Sequence, residues 1–258
     1  MEKINLKAYI AEAIGTFALV FFACGVAALG GGLLPTALTF GLVIVIMSLL
    51  IGKISGCHIN PAVSLACLMT KRMSVKDFVY YVVAQIVGGL LGAICLFGII
   101  KMGFDKMDSF FRTAGSNIAF QNKLEAAPIF AAMFVEIILT FVFVYVILHV
   151  TDEKHGVSKY AGLLIGATLL LVHLIGINLT GTSVNPARSI ATAFGDLFFS
   201  GEATALKHVW IFILAPMGGA ALAAVAYSAI NKDKTDEEKV EEPKEEVKQD
   251  AAEEKAAE

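Results

Sequence analysis

Two short stretches of the chain decide its architecture: residues 55–63 read Ser-Gly-Cys-His-Ile-Asn-Pro-Ala-Val, and residues 183–189 read Ser-Val-Asn-Pro-Ala-Arg-Ser. Each contains the tripeptide Asn-Pro-Ala within an apolar segment. Asparagine is a favoured helix N-cap and proline suits the first helical position, so each tripeptide predicts the start of a helix. Because proline also disfavours helix in the residue before it, each apolar segment should break at its asparagine.

The helix expected after each break is too short to cross a membrane. Residues 61–71 and 186–195 each span about 15 Å at 1.5 Å per residue, whereas the hydrocarbon core is about 30 Å thick. Exposed non-helical backbone is not tolerated in lipid. Each break and its half-helix should therefore form a re-entrant segment that is buried in protein or lines a cavity.

The composition of the chain is that of a membrane protein. Of its 258 residues, 57% are hydrophobic and 17% are charged, and the mean hydropathy is +0.74. A soluble domain is about 45–50% apolar and about 25% charged. We predict an all-α membrane protein with six transmembrane helices and two re-entrant half-helices. The stretches that are long and apolar enough to span a bilayer are 8–29, 34–52, 78–100, 128–150, 160–179 and 208–230.

Charge divides the chain into an apolar body, residues 1–230, and a tail, residues 231–258, which holds 12 acidic and 6 basic side chains. The tail has no aromatic residue, so we expect it to be solvated and disordered. No basic block indicates nucleic-acid binding.

The basic residues of the body predict its orientation in the membrane. By the positive-inside rule the links that carry them face the cytoplasm, which places both termini there if six spans exist. We interpret the first apolar run as a retained span and, with no targeting segment in view, expect a multi-pass protein of the plasma membrane. The residues concerned are Lys3, Lys7, Lys71, Arg72, Lys76, Lys154 and Lys159.

The body consists of two repeats, at about residues 8–100 and 128–230. Matching features are Glu-x-x-x-Thr-Phe at Glu12 and Glu136, a glycine 19 residues before each Asn of Asn-Pro-Ala at Gly41 and Gly166, and glycine pairs at Gly88-Gly89 and Gly218-Gly219. Each repeat has three spans, so the second is inserted upside down relative to the first. Such repeats bring broken helices together near the midplane of the membrane.

The opposed half-helices should form a route for a small neutral solute. Each helix start carries about half a positive charge and unpaired N–H donors, so two of them meeting in mid-membrane repel cations, protons included. The amides of Asn60 and Asn185 offer further donors. The carbonyl groups expected to offer acceptors belong to the two loops before the half-helices, which are Gly56, Cys57, His58, Ile59, Gly181, Thr182, Ser183 and Val184.

Charged residues inside the apolar segments are candidates for function. Arg188 is disfavoured near a helix N-terminus and costly in a membrane, so we interpret it as a fixed positive donor that narrows the pore. Glu12 and Glu136 have two interpretations: a proton relay in a coupled transporter, or buried structural acceptors for the loop backbone of their own repeat. Their matched positions favour the structural role.

These motifs resemble those of the major intrinsic protein family, the aquaporins and aquaglyceroporins, over roughly residues 8–230. The paired Asn-Pro-Ala boxes, the trailing arginine and the two Glu-x-x-x-Thr-Phe segments carry the resemblance. It implies an aquaporin-like inverted-repeat channel domain over residues 1–230, and a homotetramer in which each protomer holds its own pore. The pore motifs that it implies are Asn60, Pro61, Ala62, Asn185, Pro186 and Ala187.

The resemblance also implies a selectivity filter, formed by Phe40, His173, Thr182 and Arg188. Phe with His is similar to the water-selective combination of bacterial aquaporins, whereas glycerol channels have Trp with Gly and Phe, which leaves room for a carbon backbone. Ser189 and Ala193 also resemble the water channels. Ile213 departs from them, because water channels often have Trp at that position.

Our leading expectation is a passive water channel that conducts water in single file and excludes protons and ions, with water and the lipid bilayer as its partners. The alternatives are a facilitator for glycerol, ammonia or hydrogen peroxide, a proton-coupled transporter that uses Glu12 and Glu136, and a structural protein with a closed pore. No nucleophile–base pair indicates an enzyme, and we expect no cofactor and no metal. The cysteines, which lack a zinc or disulfide spacing, are Cys24, Cys57, Cys67 and Cys95.

Overall fold

The computed structural model describes residues 5–103, 126–152, 156–201 and 203–240, and this part of the chain contains helices and turns but no strand. The long helices are α1 (Leu6–Ala28), α2 (Leu33–Ser55), α4 (Val75–Gly103), α5 (Ala126–Val150), α6 (Ala161–Thr180) and α9 (Ile211–Val240). The short helices are α3 (Pro61–Met69), α7 (Pro186–Ser200) and α8 (Thr204–His208). A π-helical segment, Leu19–Cys24, lies within α1.

Six of these helices are long and apolar enough to cross a membrane, which confirms the predicted fold class. Their outward faces are apolar: Leu49, Phe130 and Met102 are 78%, 70% and 83% exposed. Water would penalise such a surface, whereas lipid tails match it. The last helix, α9, continues to Val240, into the segment that the sequence assigned to the tail. Residues 241–258, where the rest of that prediction falls, lie outside the described residues, as do Lys3 and Lys154.

Both half-helices, α3 and α7, begin at the asparagine of an Asn-Pro-Ala motif, but their ends differ from the prediction. The first ends at Met69, two residues before the expected position, and Lys71 follows in the left-handed region at φ 60°. The second does not end at Gly195, which faces the ring of Phe97; a Cβ there would lie 2.0 Å from Phe97 Cε2. It ends before Gly201, whose φ of 74° provides the left-handed C′ residue common after helices.

The two repeats meet where α2 crosses α6. A Cβ added to Gly41 would lie 2.7 Å from the carbonyl oxygen of Gly166, and one added to Gly166 would lie 2.6 Å from that of Gly41. Repeat-related residues therefore contact each other, which places the pseudo-two-fold axis at this crossing. Only glycine allows the two backbones to approach so closely.

The glycine pairs of α4 and α9 align differently from the way the sequence suggests. A Cβ at Gly88 would lie 2.0 Å from the carbonyl oxygen of Ala13, the residue after Glu12. Its counterpart is Gly219, where a Cβ would lie 2.4 Å from the carbonyl oxygen of Ile137, the residue after Glu136. The contacts thus match Gly88 with Gly219, one residue away from the pairing drawn from the sequence.

Candidate functional site

The loops that precede the two half-helices have the same unusual backbone. Gly56 and Gly181 end α2 and α6 with φ of 82° and 79°. Further along each loop, Ile59 and Val184 also have positive φ, 41° and 44°. β-Branched residues rarely adopt this region, and each such residue costs about 1–3 kcal/mol, so the surrounding structure must hold the loops in place.

Glu12 supplies that support in the first repeat. Its side chain is fully buried, and Oε1 accepts hydrogen bonds from Ser55 Oγ at 2.7 Å and from the His58 backbone N–H at 2.9 Å. Its Oε2 accepts from the Ile59 backbone N–H at 2.6 Å and from Gln85 Nε2 at 2.8 Å. Hydrogen bonds to a carboxylate are stronger than neutral ones, which offsets the strain in the loop.

Glu136 makes the matching contacts in the second repeat and is also fully buried. Its Oε1 accepts from Thr180 Oγ1 at 2.6 Å and from the Ser183 backbone N–H at 2.8 Å, and its Oε2 accepts from the Val184 backbone N–H at 2.8 Å. Each glutamate therefore binds the loop of its own repeat, through a hydroxyl at the end of a helix and two consecutive backbone N–H groups.

The N-terminal ends of the half-helices are bonded to each other across the repeats. Asn60 Nδ2 donates to the Val184 carbonyl at 2.7 Å, and Asn185 Nδ2 donates to the Ile59 carbonyl at 2.8 Å. Their Oδ1 atoms cap their own helices, accepting from the backbone N–H groups of Ala62 and Arg188. An amide nitrogen has two hydrogens, so the second N–H of each asparagine takes no part in this pairing.

Both asparagines line the same cavity. Four apolar side chains from matching positions of the two repeats line it too: Leu19 with Phe143, and Ile44 with Leu169. A wall of apolar side chains with a few fixed polar groups is typical of a site that passes or binds a small solute.

At one level of the cavity, polar groups and an aromatic ring form a cluster. The rings of Phe40 and His173 stack with centroids 4.0 Å apart and planes 22° apart. The guanidinium carbon of Arg188 lies 5.7 Å from the centroid of Phe40, and Arg188 Nη2 donates to the Gly181 carbonyl at 3.4 Å. All three side chains are nearly buried, yet each lines the cavity.

The hydrogen bond of the His173 ring indicates which of its two nitrogens carries the proton. Nδ1 lies 2.9 Å from the Leu169 carbonyl, and a carbonyl can only accept, so Nδ1 carries a proton. Nε2 is then the acceptor nitrogen of the neutral ring. It has no hydrogen-bond partner among the described residues.

Comparison with known proteins adds to this geometry. The family model for the major intrinsic protein matches residues 1–227. The chain belongs to the major intrinsic protein family. Its membrane-capable helices are therefore those of an integral membrane channel.

Relatives in this family carry two kinds of name. Glycerol uptake facilitator protein-like 6 of Lactiplantibacillus plantarum is 39% identical over 224 residues, which are 85% of this chain and 95% of the relative. Aquaporin Z of Rhodopseudomonas palustris is 37% identical over 241 residues, 90% of this chain and 96% of the relative. The X-ray structure of the aquaglyceroporin from Plasmodium falciparum superposes with a TM-score of 0.75 at 25% identity, covering 87% of this chain and 96% of that one.

The cavity of this family member brings together seven of the residues that the sequence singled out. They are Phe40, His58, Asn60, His173, Ser183, Asn185 and Arg188. Thr182 is not among the lining residues, and its hydroxyl lies 2.4 Å from where a Cβ of Gly176 would stand. Nor do Gly56, Cys57 and Gly181 line the cavity, and the Gly181 carbonyl accepts from Arg188.

Several residues that complete the site were missed by sequence reasoning. Gln85 donates to Glu12 and to Ser64 Oγ, and Tyr81 donates to the Ser55 carbonyl at 2.7 Å. The internal repeat could have indicated Ser64, since Ser189 lies at the matching position. Ser64 Oγ is hydrogen-bonded to His58 Nδ1, and Ser189 Oγ is hydrogen-bonded to Ser183 Oγ. Gln85 has no counterpart in the second repeat. It lies three residues before Gly88, and the residue three before the matching Gly219 is Pro216, which has no side-chain donor.

Proposed function

We propose that the chain is a passive water channel that conducts water in single file and excludes ions and protons. The observation that carries this proposal is the contact between Phe40 and His173, whose ring centroids lie 4.0 Å apart, with the Arg188 guanidinium carbon 5.7 Å from the Phe40 centroid. The two rings fill space that a carbon chain would need. His173 Nε2 can accept a hydrogen bond and Arg188 can donate one, which suits a molecule that does both.

We attribute the proposed proton exclusion to Asn60 and Asn185, which line the cavity. One N–H of each is fixed by a carbonyl of the opposite repeat, so the orientation of the other is fixed too. If Asn60 and Asn185 both donate to one water oxygen, that water must direct its hydrogens away along the pore. Such a molecule interrupts the hydrogen-bonded chain that proton hopping requires, and the positive helix starts oppose cations further.

The glutamates act as structural acceptors in this proposal. Glu12 and Glu136 are fully buried, and neither lines the cavity. Their oxygens accept hydrogen bonds from groups that fix the strained loops. This supports the structural role over a proton relay in a coupled transporter, which needs a carboxyl group that the solute or water can reach. Because the family consists of channels, it also supports a protein without catalytic activity.

A facilitator of glycerol or another small neutral solute is the second candidate. It is favoured by the relative named as a glycerol uptake facilitator-like protein and by the similarity to an aquaglyceroporin structure. Ammonia and hydrogen peroxide are smaller than glycerol, and the Phe40–His173 contact argues least against them.

We further propose a homotetramer in the plasma membrane with both termini in the cytoplasm. Three exposed lysines support this orientation by the positive-inside rule: Lys7 at the N-terminal end of α1, and Lys71 and Lys159 in links between helices. The residues after Val240 are proposed to form a solvated tail.

Stopped-flow light scattering on proteoliposomes tests the function. Vesicles are shocked in parallel with an impermeant sugar and with glycerol, with protein-free vesicles as the reference. A water channel shrinks the vesicles quickly in sugar and gives no faster re-swelling in glycerol. Fast re-swelling in glycerol supports the second candidate, and no effect in either arm from folded protein contradicts both.

A further inference from the structure

We propose that Gly176 is a positioning residue for the filter: the recess left by its missing side chain holds the Thr182 side chain out of the pore. This inference rests on the proposed function, because it concerns the same filter. It assigns a role to a residue that does not line the cavity and lies one helical turn after His173 on α6.

The first observation is the direction of the Thr182 side chain. Thr182 is fully buried, and a Cβ added to Gly176 would lie 2.4 Å from its Oγ1 and 3.3 Å from its Cβ. The hydroxyl therefore occupies space next to α6. The backbone of Thr182 is left-handed, with φ 46°, and its N–H donates to Thr180 Oγ1 at 3.2 Å.

The recess has no spare room. The same added Cβ would lie 2.5 Å from Leu139 Cδ1, and Leu139 is itself buried. Any side chain at position 176 must therefore displace Leu139, Thr182 or both. The loop backbone is fixed by the bonds from Ser183 and Val184 to Glu136, so rotation about the Cα–Cβ bond is the movement that remains to Thr182.

In the first repeat the glycine and the large side chain are exchanged between the two packed helices. Ile51 lies nine residues before Asn60, as Gly176 lies nine before Asn185. Ile51 carries a side chain, and the glycine is on the other helix: a Cβ at Gly15 would lie 2.8 Å from Ile51 Cδ1. The first-repeat loop thus faces no recess on α2, and Cys57, which matches Thr182, is partly exposed.

The arrangement determines what the solute meets at the filter. With Thr182 turned toward α6, the cavity at this level is lined by Phe40, His173 and Arg188. An alanine at position 176 pushes the threonine side chain back toward the pore and narrows it. We expect Gly176→Ala to lower water permeability roughly tenfold, the effect of a barrier increase of about 1.4 kcal/mol. Gly98→Ala is the matched control, since a Cβ there meets nothing within 4 Å.

Thiol labelling tests the direction of the side chain itself. In full-length protein in liposomes, Cys57 and Cys95 are changed to Ser and the buried Cys24 and Cys67 are kept. Thr182→Cys is then introduced both with the native Gly176 and together with Gly176→Ala, and methyl methanethiosulfonate is used as the probe. Mass spectrometry of the protein gives the rate of modification, with the background lacking Thr182→Cys subtracted.

We expect the cysteine at position 182 to react slowly beside the native Gly176 and at least about tenfold faster in the protein that also carries Gly176→Ala. Equal rates in the two backgrounds overturn the role of Gly176. A second comparison needs no change at Gly176: His173→Cys places a thiol on the cavity, and a Thr182→Cys thiol that reacts as fast as that one also overturns the proposal. Labelling does not depend on which solute passes, so its outcome is separate from that of the water-channel proposal.

Discussion

The crossing of α2 and α6 gives the sharpest prediction about selectivity. In Gly41→Ala, the new Cβ would lie 2.7 Å from the Gly166 carbonyl oxygen, and an ordinary contact of about 3.4 Å requires the helices to separate by about 0.7 Å. Phe40 precedes Gly41 on α2, and His173 lies on α6. The separation therefore moves the stacked rings from 4.0 Å toward about 4.7 Å and widens the filter.

We expect Gly41→Ala to raise glycerol permeability while water permeability stays the same or rises. Overpacking of this kind costs about 1–3 kcal/mol, which lowers the thermal midpoint of a chain of this size by about 2–12 °C. Stopped-flow re-swelling in glycerol and circular dichroism melting in detergent measure the two effects. Gly52→Ala on the same helix is the control, because a Cβ there meets nothing within 4 Å. A Gly41→Ala protein that matches this control, or that passes less of both solutes, refutes the reasoning.

Three further predictions concern other parts of the molecule. Glu136→Gln leaves one buried loop N–H without an acceptor at a cost of about 1–3 kcal/mol, so the melting midpoint should fall by about 2–12 °C; an unchanged midpoint contradicts the structural role. Arg188→Val removes the fixed positive charge beside Phe40 and should admit protons or ions, seen with a pH-sensitive dye in the vesicles; a proton-tight variant contradicts the role given to Arg188. Deletion of residues 232–258 should leave water permeability unchanged in stopped flow, and a clear loss would assign the tail a function.

Much of the fold could be predicted from the sequence because its strongest signals are local. Asn60-Pro61 and Asn185-Pro186 combine an N-cap with a first-position proline, and the spans are long apolar runs with at most one carboxyl group each. At the end of the second half-helix, the prediction was wrong because of a distant contact. Gly195 looked like a helix end, but it is a packing residue for Phe97 on another helix.

The site was less accessible to sequence reasoning, because side-chain direction depends on neighbours from other helices. The motifs named the two asparagines and the arginine, whose roles in the pore stay predictions. The direction of Thr182 depends on a missing side chain at Gly176, which a linear motif does not reveal. The sequence predicted the carbonyls of Ile59 and Val184 as acceptors for the solute, but each accepts from an asparagine amide of the opposite repeat, a partner that no local motif indicates.

The crossed asparagine bonds have a consequence for the order in which the molecule assembles. Asn60 bonds to a carbonyl 124 positions away, and Asn185 to one 126 positions away. During synthesis the first repeat is complete long before the second has been made. The Asn60 amide therefore cannot form its hydrogen bond until the second repeat is in place. Contacts of such long sequence separation form late and slowly. The centre of the pore should therefore be the last region to order, and a chain truncated before residue 184 should insert its first helices without ever completing it.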